Sequence, residues 1–197
     1  MILLLPRSIP YVFLKSDTQN DKEFPTKGFY LNTEGKVIDL LKSKVKKRVV
    51  QVKADIRILI PISKNFSYNL NLYGGITIGD NLPYFYQYKL GGLFEQNIIN
   101  FKSFTGFYFA QLNTDNVAFV SNDIQYKFNK NYFISGNFTA ANLSQDLSFK
   151  DAVRVNYTSL GITAGYKSPF GQIKINFSHS LDNNQKGIFS VILGHWF

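Results

Sequence analysis

The chain has 197 residues and a formal net charge of +9, and its composition already excludes several classes of protein. Apolar residues make up 45% and aromatic residues 16% of the sequence, which is too apolar for an intrinsically disordered chain. The lack of cysteine excludes disulfide scaffolds, cysteine-ligated metal sites and thiol catalysis. No apolar run reaches the roughly 18 to 20 residues of a membrane-spanning helix, so a membrane protein with this sequence must be a closed β-barrel.

The start of the chain, MILLLPRSIP, does not have the features of an export signal. Its apolar run has no positively charged residue before it and no small-residue cleavage site after it. We expect an irregular start at 1–10 and one structural domain at 11–197. Two interpretations stay open: a cytoplasmic protein, or the C-terminal part of a longer chain whose leader lies upstream.

Apolar and polar residues alternate along most of the remaining sequence, and no helical repeat competes with this pattern. In the clearest case, Val50, Val52 and Ile56 point to one face of a strand, while Lys53 and Asp55 point to the other. The alternation predicts an all-β, antiparallel fold. We expect about eleven strands, near residues 11–18, 27–40, 49–63, 66–79, 85–93, 103–113, 116–128, 131–143, 155–168, 171–181 and 186–197.

The connections between these strands follow a second pattern. Tight turns are predicted at 64–65, 129–130 and 168–171, and longer polar links at 80–84, 145–154 and 182–186. Short turns should therefore gather at one end of the sheet, as they do at the periplasmic end of outer-membrane barrels. This places the C-terminal residue, Phe197, at the periplasmic end. A soluble β-sandwich is the alternative, although its strands are usually shorter.

Three segments in order along the chain, 14–37, 81–107 and 166–197, resemble the barrel of the BamA–TamA–FhaC superfamily of outer-membrane proteins. The matched family features are an Asp-bearing strand with an F-P-T-x-G turn, an aromatic stretch with a Gly-Gly pair, a loop ending V-R-G-F, an S-P-x-G turn and a terminal aromatic residue. The residues that carry them are Asp17, Phe24, Pro25, Gly28, Pro83, Gly91, Gly92, Phe104, Thr105, Gly106, Phe107, Ser168, Pro169, Gly171, Gly194, Trp196 and Phe197. The resemblance implies a transmembrane β-barrel seen in part, with about eleven strands of a parent of about sixteen.

Thr105 departs from the family pattern. In the assembly and secretion members, an Arg at this position lies inside the barrel and pairs with an acidic residue of a later strand. The corresponding strand, near 131–144, contains neither Asp nor Glu. Loss of both partners is physically consistent, because either charge alone would be buried without compensation. The departure argues against a protein-insertion or secretion barrel that uses this ion pair.

The stretch 84–107 looks like the subgroup in which a patatin-like phospholipase domain precedes the barrel. The resemblance implies a bacterial outer-membrane barrel that anchors, and displays or passes, such a domain. Hydrolases of that kind need G-x-S-x-G, which does not occur in this chain. We therefore expect no catalytic residue and no cofactor here. A stand-alone pore, a translocation or assembly barrel and a soluble β-sandwich binding protein stay open as alternatives.

The remaining polar features predict lumen or surface roles. His179 and His195 lie on adjacent predicted strands, but a metal site needs more converging ligands, so we expect no metal. The basic segment 42–48 is expected to be a solvated loop on the outer side, within reach of lipopolysaccharide phosphates. Three aspartates are expected to be solvated inside the barrel: Asp17, Asp55 and Asp123.

The expected partners follow from an outer-membrane location. They are outer-membrane lipid, lipopolysaccharide and the barrel-assembly machinery during biogenesis, with a homodimer as an open alternative. Nucleic acid is not expected, because the basic segment 42–48 has no interleaved aromatic residues.

Overall fold

The computed structural model describes residues 10–42, 45–79, 82–93, 100–145, 154–182 and 186–194, and most of these residues lie in β-strands. The strands are β1 (Tyr11–Asp17), β2 (Gly28–Lys42), β3 (Val45–Pro61), β4 (Phe66–Ile78), β5 (Tyr88–Leu90), β6 (Phe101–Lys102), β7 (Leu112–Thr114), β8 (Asn116–Lys127), β9 (Tyr132–Ser144), β10 (Tyr157–Ser168), β11 (Gly171–Ser180) and β12 (Ile188–Gly194). A short 3-10 helix, Tyr84–Tyr86, precedes β5. In the part of the chain that the structure describes, no helix is long and apolar enough to cross a membrane.

Nine of the strands form one antiparallel sheet in the order β1-β2-β3-β4-β8-β9-β10-β11-β12. Within the described ranges, β1 pairs only with β2 and β12 only with β11, so the sheet does not close on itself. The sheet curls around a cavity of about 950 Å³, called the lumen below, which is lined by residues from β1 to β12. The predicted partial antiparallel barrel is confirmed.

The two faces of this sheet have opposite polarity. Glu34 and Lys53 lie opposite each other on β2 and β3, line the lumen and form an ion pair with an N–O distance of 2.9 Å. Val52 and Ile76 lie opposite each other on β3 and β4, point outward and are 46% and 41% exposed. Apolar residues outside and polar residues inside are the arrangement of a membrane barrel. The soluble β-sandwich alternative is therefore wrong, because it needs the apolar rows in its interior.

The connections sort by length only in part. The predicted tight turns, 62–65, 128–131 and 169–170, lie at one end of the sheet, but the ten-residue turn 18–27 lies at this end too. The segments 79–115, 145–156 and 181–187 join strands at the opposite end. The basic segment 42–48 also lies at this opposite end. It is not the predicted loop, because β2 continues to Lys42 and β3 begins at Val45.

Two of the predicted strands, 85–93 and 103–113, do not belong to the barrel wall. Their aromatic residues give an alternating pattern, but positive φ angles of 132°, 75° and 86° at Gly91, Gly92 and Gly106 interrupt the extended backbone. Only short strands form here: β5 pairs with β6 in parallel and with β7 antiparallel in a separate sheet. Among the described residues, the wall therefore has nine strands, not about eleven. The predicted irregular start, 1–10, lies outside the described residues except for its last residue.

Candidate functional site

The largest interruption of the sheet is the inserted segment, defined as residues 79–115 between β4 and β8. Its described residues, 79, 82–93 and 100–115, fold into the lumen, where their side chains pack against inward-facing residues of β4, β8 and β9. The buried cluster comprises Tyr88, Leu90, Phe104 and Phe107 of the inserted segment and Tyr73, Val117, Phe119 and Ala141 of the wall. Burial of apolar surface is favourable by about 25 cal/mol per Å², so this cluster stabilises the segment inside the lumen.

The tip of the inserted segment, Phe104 to Phe107, crosses the lumen to β9 and β11. Asn137 Nδ2 donates a 2.8 Å hydrogen bond to Thr105 Oγ1, and the backbone N–H of Gly106 donates to Ser178 Oγ at 2.9 Å. The position where the family resemblance places a buried Arg and its acidic partner is thus occupied by two neutral side chains. Sequence reasoning found Thr105 and the strand that faces it, but it did not find Asn137.

Gly106 allows the tip to approach the wall closely. Its φ is +86°, a conformation that side-chain-bearing residues rarely adopt. A Cβ at this position would lie 2.9 Å from Ser159 Cβ and 3.0 Å from the carbonyl carbon of His179. The backbone of the tip therefore covers the inner surface of β10 and β11 without an intervening side chain.

Lys102 joins the inserted segment to the other side of the lumen. Its Nζ lies 3.0 Å from both carboxylate oxygens of Asp55 on β3, and its side chain is only 3% exposed. The rings of Tyr73 and Phe119 flank the ammonium, with centroids 5.6 Å and 5.8 Å away. Asp55 faces the lumen as predicted, but the prediction that it is solvated is wrong, because it is paired with Lys102 and also lies 3.5 Å from Arg57.

A buried polar network holds the inserted segment nearer the end of the sheet with the long connections. Asn100 Nδ2 donates to Gln51 Oε1 at 3.1 Å and to the carbonyl of Tyr86 at 2.5 Å. Gln51 Nε2 in turn donates to Thr77 Oγ1 at 2.9 Å, and Lys36 Nζ donates to Asn100 Oδ1 at 2.9 Å. These bonds satisfy amide groups that would otherwise be buried at considerable free-energy cost.

The turn between β1 and β2, residues 18–27, reaches across the lumen at the opposite end. Phe24 stacks on Phe133 of β9 with a centroid distance of 4.3 Å and an interplanar angle of 1°. It also fills the space over Gly165, where a Cβ would lie 2.3 Å from the Phe24 ring. The Nζ of Lys174 on β11 also lies over the Phe24 ring, 4.8 Å from its centroid. The turn thus ties the first hairpin to strands at the far side of the sheet.

An ion pair between Asp21 of this turn and Lys167 of β10 strengthens the same contact. Burial raises the pKa of Asp21, but the hydrogen bond with Lys167 and the backbone N–H groups of Glu23 and Phe24 lower it, and the net effect is a pKa below 3.8. The carboxylate is therefore ionised at neutral pH and holds the turn in place.

The other predicted motif residues of the first hairpin lie at its turn. Asp17 accepts a hydrogen bond from the backbone N–H of Gln19 at 3.1 Å and pairs with Lys22, so it is not simply solvated. Pro25 lies in the turn, and Gly28 begins β2 with a φ of +125°.

The motif residues near the C-terminus form the tight turn between β10 and β11. Ser168 Oγ donates to the carbonyl of Gly171 at 2.6 Å and accepts from the N–H of Phe170 at 3.2 Å, with Pro169 between them. Gly194 ends β12. Trp196 and Phe197 lie outside the described residues, so the resemblance of the terminal aromatic residues to the family motif stays a prediction.

Residues 8–197 match the family model described as the OMP85 superfamily. The chain belongs to the OMP85 superfamily. This confirms the predicted superfamily and identifies the chain as an outer-membrane β-barrel protein. The association with a patatin-like domain, by contrast, stays a prediction.

The fold of the OMP85 chain is similar to that of a solved structure, BamA from Haemophilus ducreyi lacking POTRA domains 1–3. The TM-score is 0.68 at 16% identity, and the match covers 92% of this chain and 42% of that one. At this identity the likeness shows the fold alone, and the chain spans less than half of the length of that protein. No curated protein matches the OMP85 chain significantly.

In the ranges of the OMP85 chain that the structure describes, no group of three or more His, Cys, Asp or Glu residues could hold a metal ion. His179 lies on β11 and is exposed, whereas His195 lies outside the described residues. Pro83 lies directly before the 3-10 helix, and Gly92 forms an isolated β-bridge with Phe104. These motif residues shape the inserted segment.

Proposed function

We propose that this OMP85 chain anchors an N-terminal patatin-like phospholipase domain in the outer membrane. The anchoring part of the proposal depends on the apolar outer face, since Val52, Ile76 and their neighbours can contact lipid along the length of the strands. The patatin-like domain is implied by the resemblance of 84–107 to barrels of that subgroup.

One observation favours an anchor over a conducting pore: the chain itself occupies part of the lumen and leaves a cavity of about 950 Å³. The inserted segment contacts β3, β9 and β11 from one end, and the turn 18–27 contacts β9, β10 and β11 from the other. A large pore needs an open aqueous path, whereas an anchor needs only a stable outer surface. The neutral Thr105–Asn137 contact further separates this chain from barrels that use a buried Arg–carboxylate pair at that position.

We also propose an orientation in which the short turns and the C-terminus face the periplasm. The longer connections and the end of the β2–β3 hairpin then face outward, where the exposed Arg48 lies close to lipopolysaccharide phosphates. The proposed partners are outer-membrane lipid, lipopolysaccharide and, during biogenesis, the barrel-assembly machinery. A homodimer would use the open edges at β1 and β12.

The test begins with the DNA upstream of Met1 and the protein that it encodes. We expect a continuous reading frame with G-x-S-x-G, and a protein that fractionates with the outer membrane and hydrolyses phospholipid. Substitution of the motif serine by Ala should abolish hydrolysis and leave membrane retention unchanged. The paired barrel substitutions Leu72→Lys and Ile162→Lys should instead reduce membrane retention and leave hydrolysis unchanged, because both residues lie on the exposed apolar face.

Two results would contradict the proposal. One is an upstream region that encodes no hydrolase motif. The other is stepwise conductance in planar bilayers from this chain alone, because a pore requires an open aqueous path and an anchor does not.

A further inference from the structure

We propose that the Lys102–Asp55 ion pair is the latch that holds the inserted segment inside the lumen. The inference concerns the barrel alone and goes beyond the proposed anchoring function, because it holds whether or not another domain is attached. It assigns a positioning role to a residue pair that no motif of the sequence identifies.

The position of the pair supports this role. Lys102 lies on β6 in the middle of the inserted segment, and Asp55 lies on β3 of the wall, 47 residues away in sequence. The tip residues that follow Lys102 reach β9 and β11, on the other side of the lumen. Lys102 therefore fixes the segment at the point from which its tip extends across the barrel.

The chemistry of the Lys102–Asp55 pair distinguishes it from the contacts that the tip makes. The Thr105–Asn137 and Gly106–Ser178 hydrogen bonds join neutral groups, whereas the Lys102–Asp55 bonds join two charges at 3.0 Å. Charge-assisted hydrogen bonds are roughly twice as strong as neutral ones. The aromatic rings on both sides of the ammonium exclude water from it, so separation of the pair would leave charges poorly solvated.

The two partners stabilise the segment through one shared contact, and this gives the latch a specific signature. Lys102→Met and Asp55→Asn each remove the same ion pair at 3.0 Å. We therefore expect each single substitution to release the segment. The double substitution should release it by less than the two single effects combined, because both remove the same interaction.

Ser159 of β10 provides a reporter for release. It is fully buried under the tip, its Oγ has no hydrogen-bond partner, and a Cβ at Gly106 would lie 2.9 Å from its Cβ. Because the chain has no cysteine, Ser159→Cys places a single thiol beneath the tip. A charged, water-soluble thiol reagent should reach this thiol only when the tip moves away.

The experiment measures the labelling rate of Ser159→Cys in the full chain in detergent micelles, combined with each latch substitution. Lys89→Met is the matched control, because Lys89 belongs to the same segment but lies over the segment's own Tyr84 ring at 4.7 Å. We expect labelling to be about tenfold faster in Lys102→Met than in the control, the factor that 1.4 kcal/mol of lost stabilisation gives. Asp55→Asn should also label faster than the control, and the acceleration in the double variant should be smaller than the product of the two single-variant accelerations.

Two outcomes would overturn the latch. One is a labelling rate in Lys102→Met equal to that of Lys89→Met. The other is a double variant whose acceleration over the control equals the product of the two single-variant accelerations, because the two residues would then act independently. If Asp55→Asn does not fold, the comparison of Lys102→Met with Lys89→Met decides the question by itself.

Discussion

A 2.8 Å hydrogen bond from Asn137 to Thr105 joins the tip of the inserted segment to β9. Both side chains are neutral, at a place where the family resemblance implies a buried Arg and a carboxylate. The charged contact of the segment lies instead between Lys102 and Asp55, on the opposite side of the lumen. The segment is therefore held by a neutral contact at its tip and by an ion pair nearer its middle.

The first prediction concerns the neutral contact. Thr105→Val keeps the side-chain shape but removes the acceptor for Asn137, so the free energy of unfolding should fall by about 0.5–1.5 kcal/mol. Urea unfolding in micelles, followed by far-UV circular dichroism, measures this change. Thr33→Val is the control, because Thr33 lies on the outer face of β2 between lumen-lining Asn32 and Glu34. A loss equal in both variants would show that the Thr105 hydrogen bond contributes no stability.

The second prediction concerns the turn between β1 and β2. Phe24 is 5% exposed and stacks on Phe133, so Phe24→Ala should lower the free energy of unfolding by about 3–5 kcal/mol. Phe170→Ala is the matched control at the same end of the sheet, because Phe170 is 88% exposed and its loss should change stability by less than about 0.5 kcal/mol. Similar urea midpoints for the two variants would contradict the proposed tie between the turn and β9.

The third prediction is a pH dependence that arises from Asp21. Its pKa is lowered below 3.8 in the folded chain, so its ionised form stabilises the fold above that pH, and this contribution is lost as the pH falls through the folded pKa. Asp21→Asn should therefore be less stable than the parent at pH 7, and the difference should shrink when unfolding is measured below pH 3.8. A difference that stays constant with pH would exclude the Asp21–Lys167 pair as its source.

The fourth prediction separates the two faces of one strand. Leu72 lies near the centre of β4 on the outer face, so Leu72→Lys should destabilise the chain in a bilayer by about 2–4 kcal/mol. Asn69→Lys is the control on the inner face, where the new ammonium lies opposite Asp123 of β8 and should be tolerated. Equal destabilisation by both substitutions, measured by urea unfolding from lipid vesicles, would contradict the assigned faces.

Much of the barrel wall could be predicted from the sequence, because alternation is a local property. In β3 (Val45–Pro61), Val52 of the predicted apolar face is exposed, and Lys53 and Asp55 of the predicted polar face line the lumen. The turn at 168–171 was equally readable, since Ser, Pro and Gly each favour a tight turn by a local mechanism.

The contents of the lumen could not be predicted in the same way. The stretches 85–93 and 103–113 contain enough aromatic residues to imitate wall strands, but those residues pack on the inner wall instead of facing lipid. The Lys102–Asp55 pair joins residues 47 positions apart, and neither residue belongs to a pattern that indicates the other. The hydrogen bond between Asn137 and Thr105 could not be predicted for the same reason. The sequence indicates the strand that faces Thr105 but not which side chain of that strand contacts it.

The central claim is that the apolar rows of the sheet contact lipid while the polar rows face the lumen. Spin labels attached to Leu72→Cys and, separately, to Asn71→Cys test it directly, because these neighbours lie on opposite faces of β4. In lipid vesicles, relaxation by lipid-soluble oxygen should be strong for the label at Leu72 and weak for the label at Asn71. A label at Leu72 that is shielded from oxygen, or one that a water-soluble nickel reagent relaxes more than it relaxes the label at Asn71, would contradict the membrane barrel.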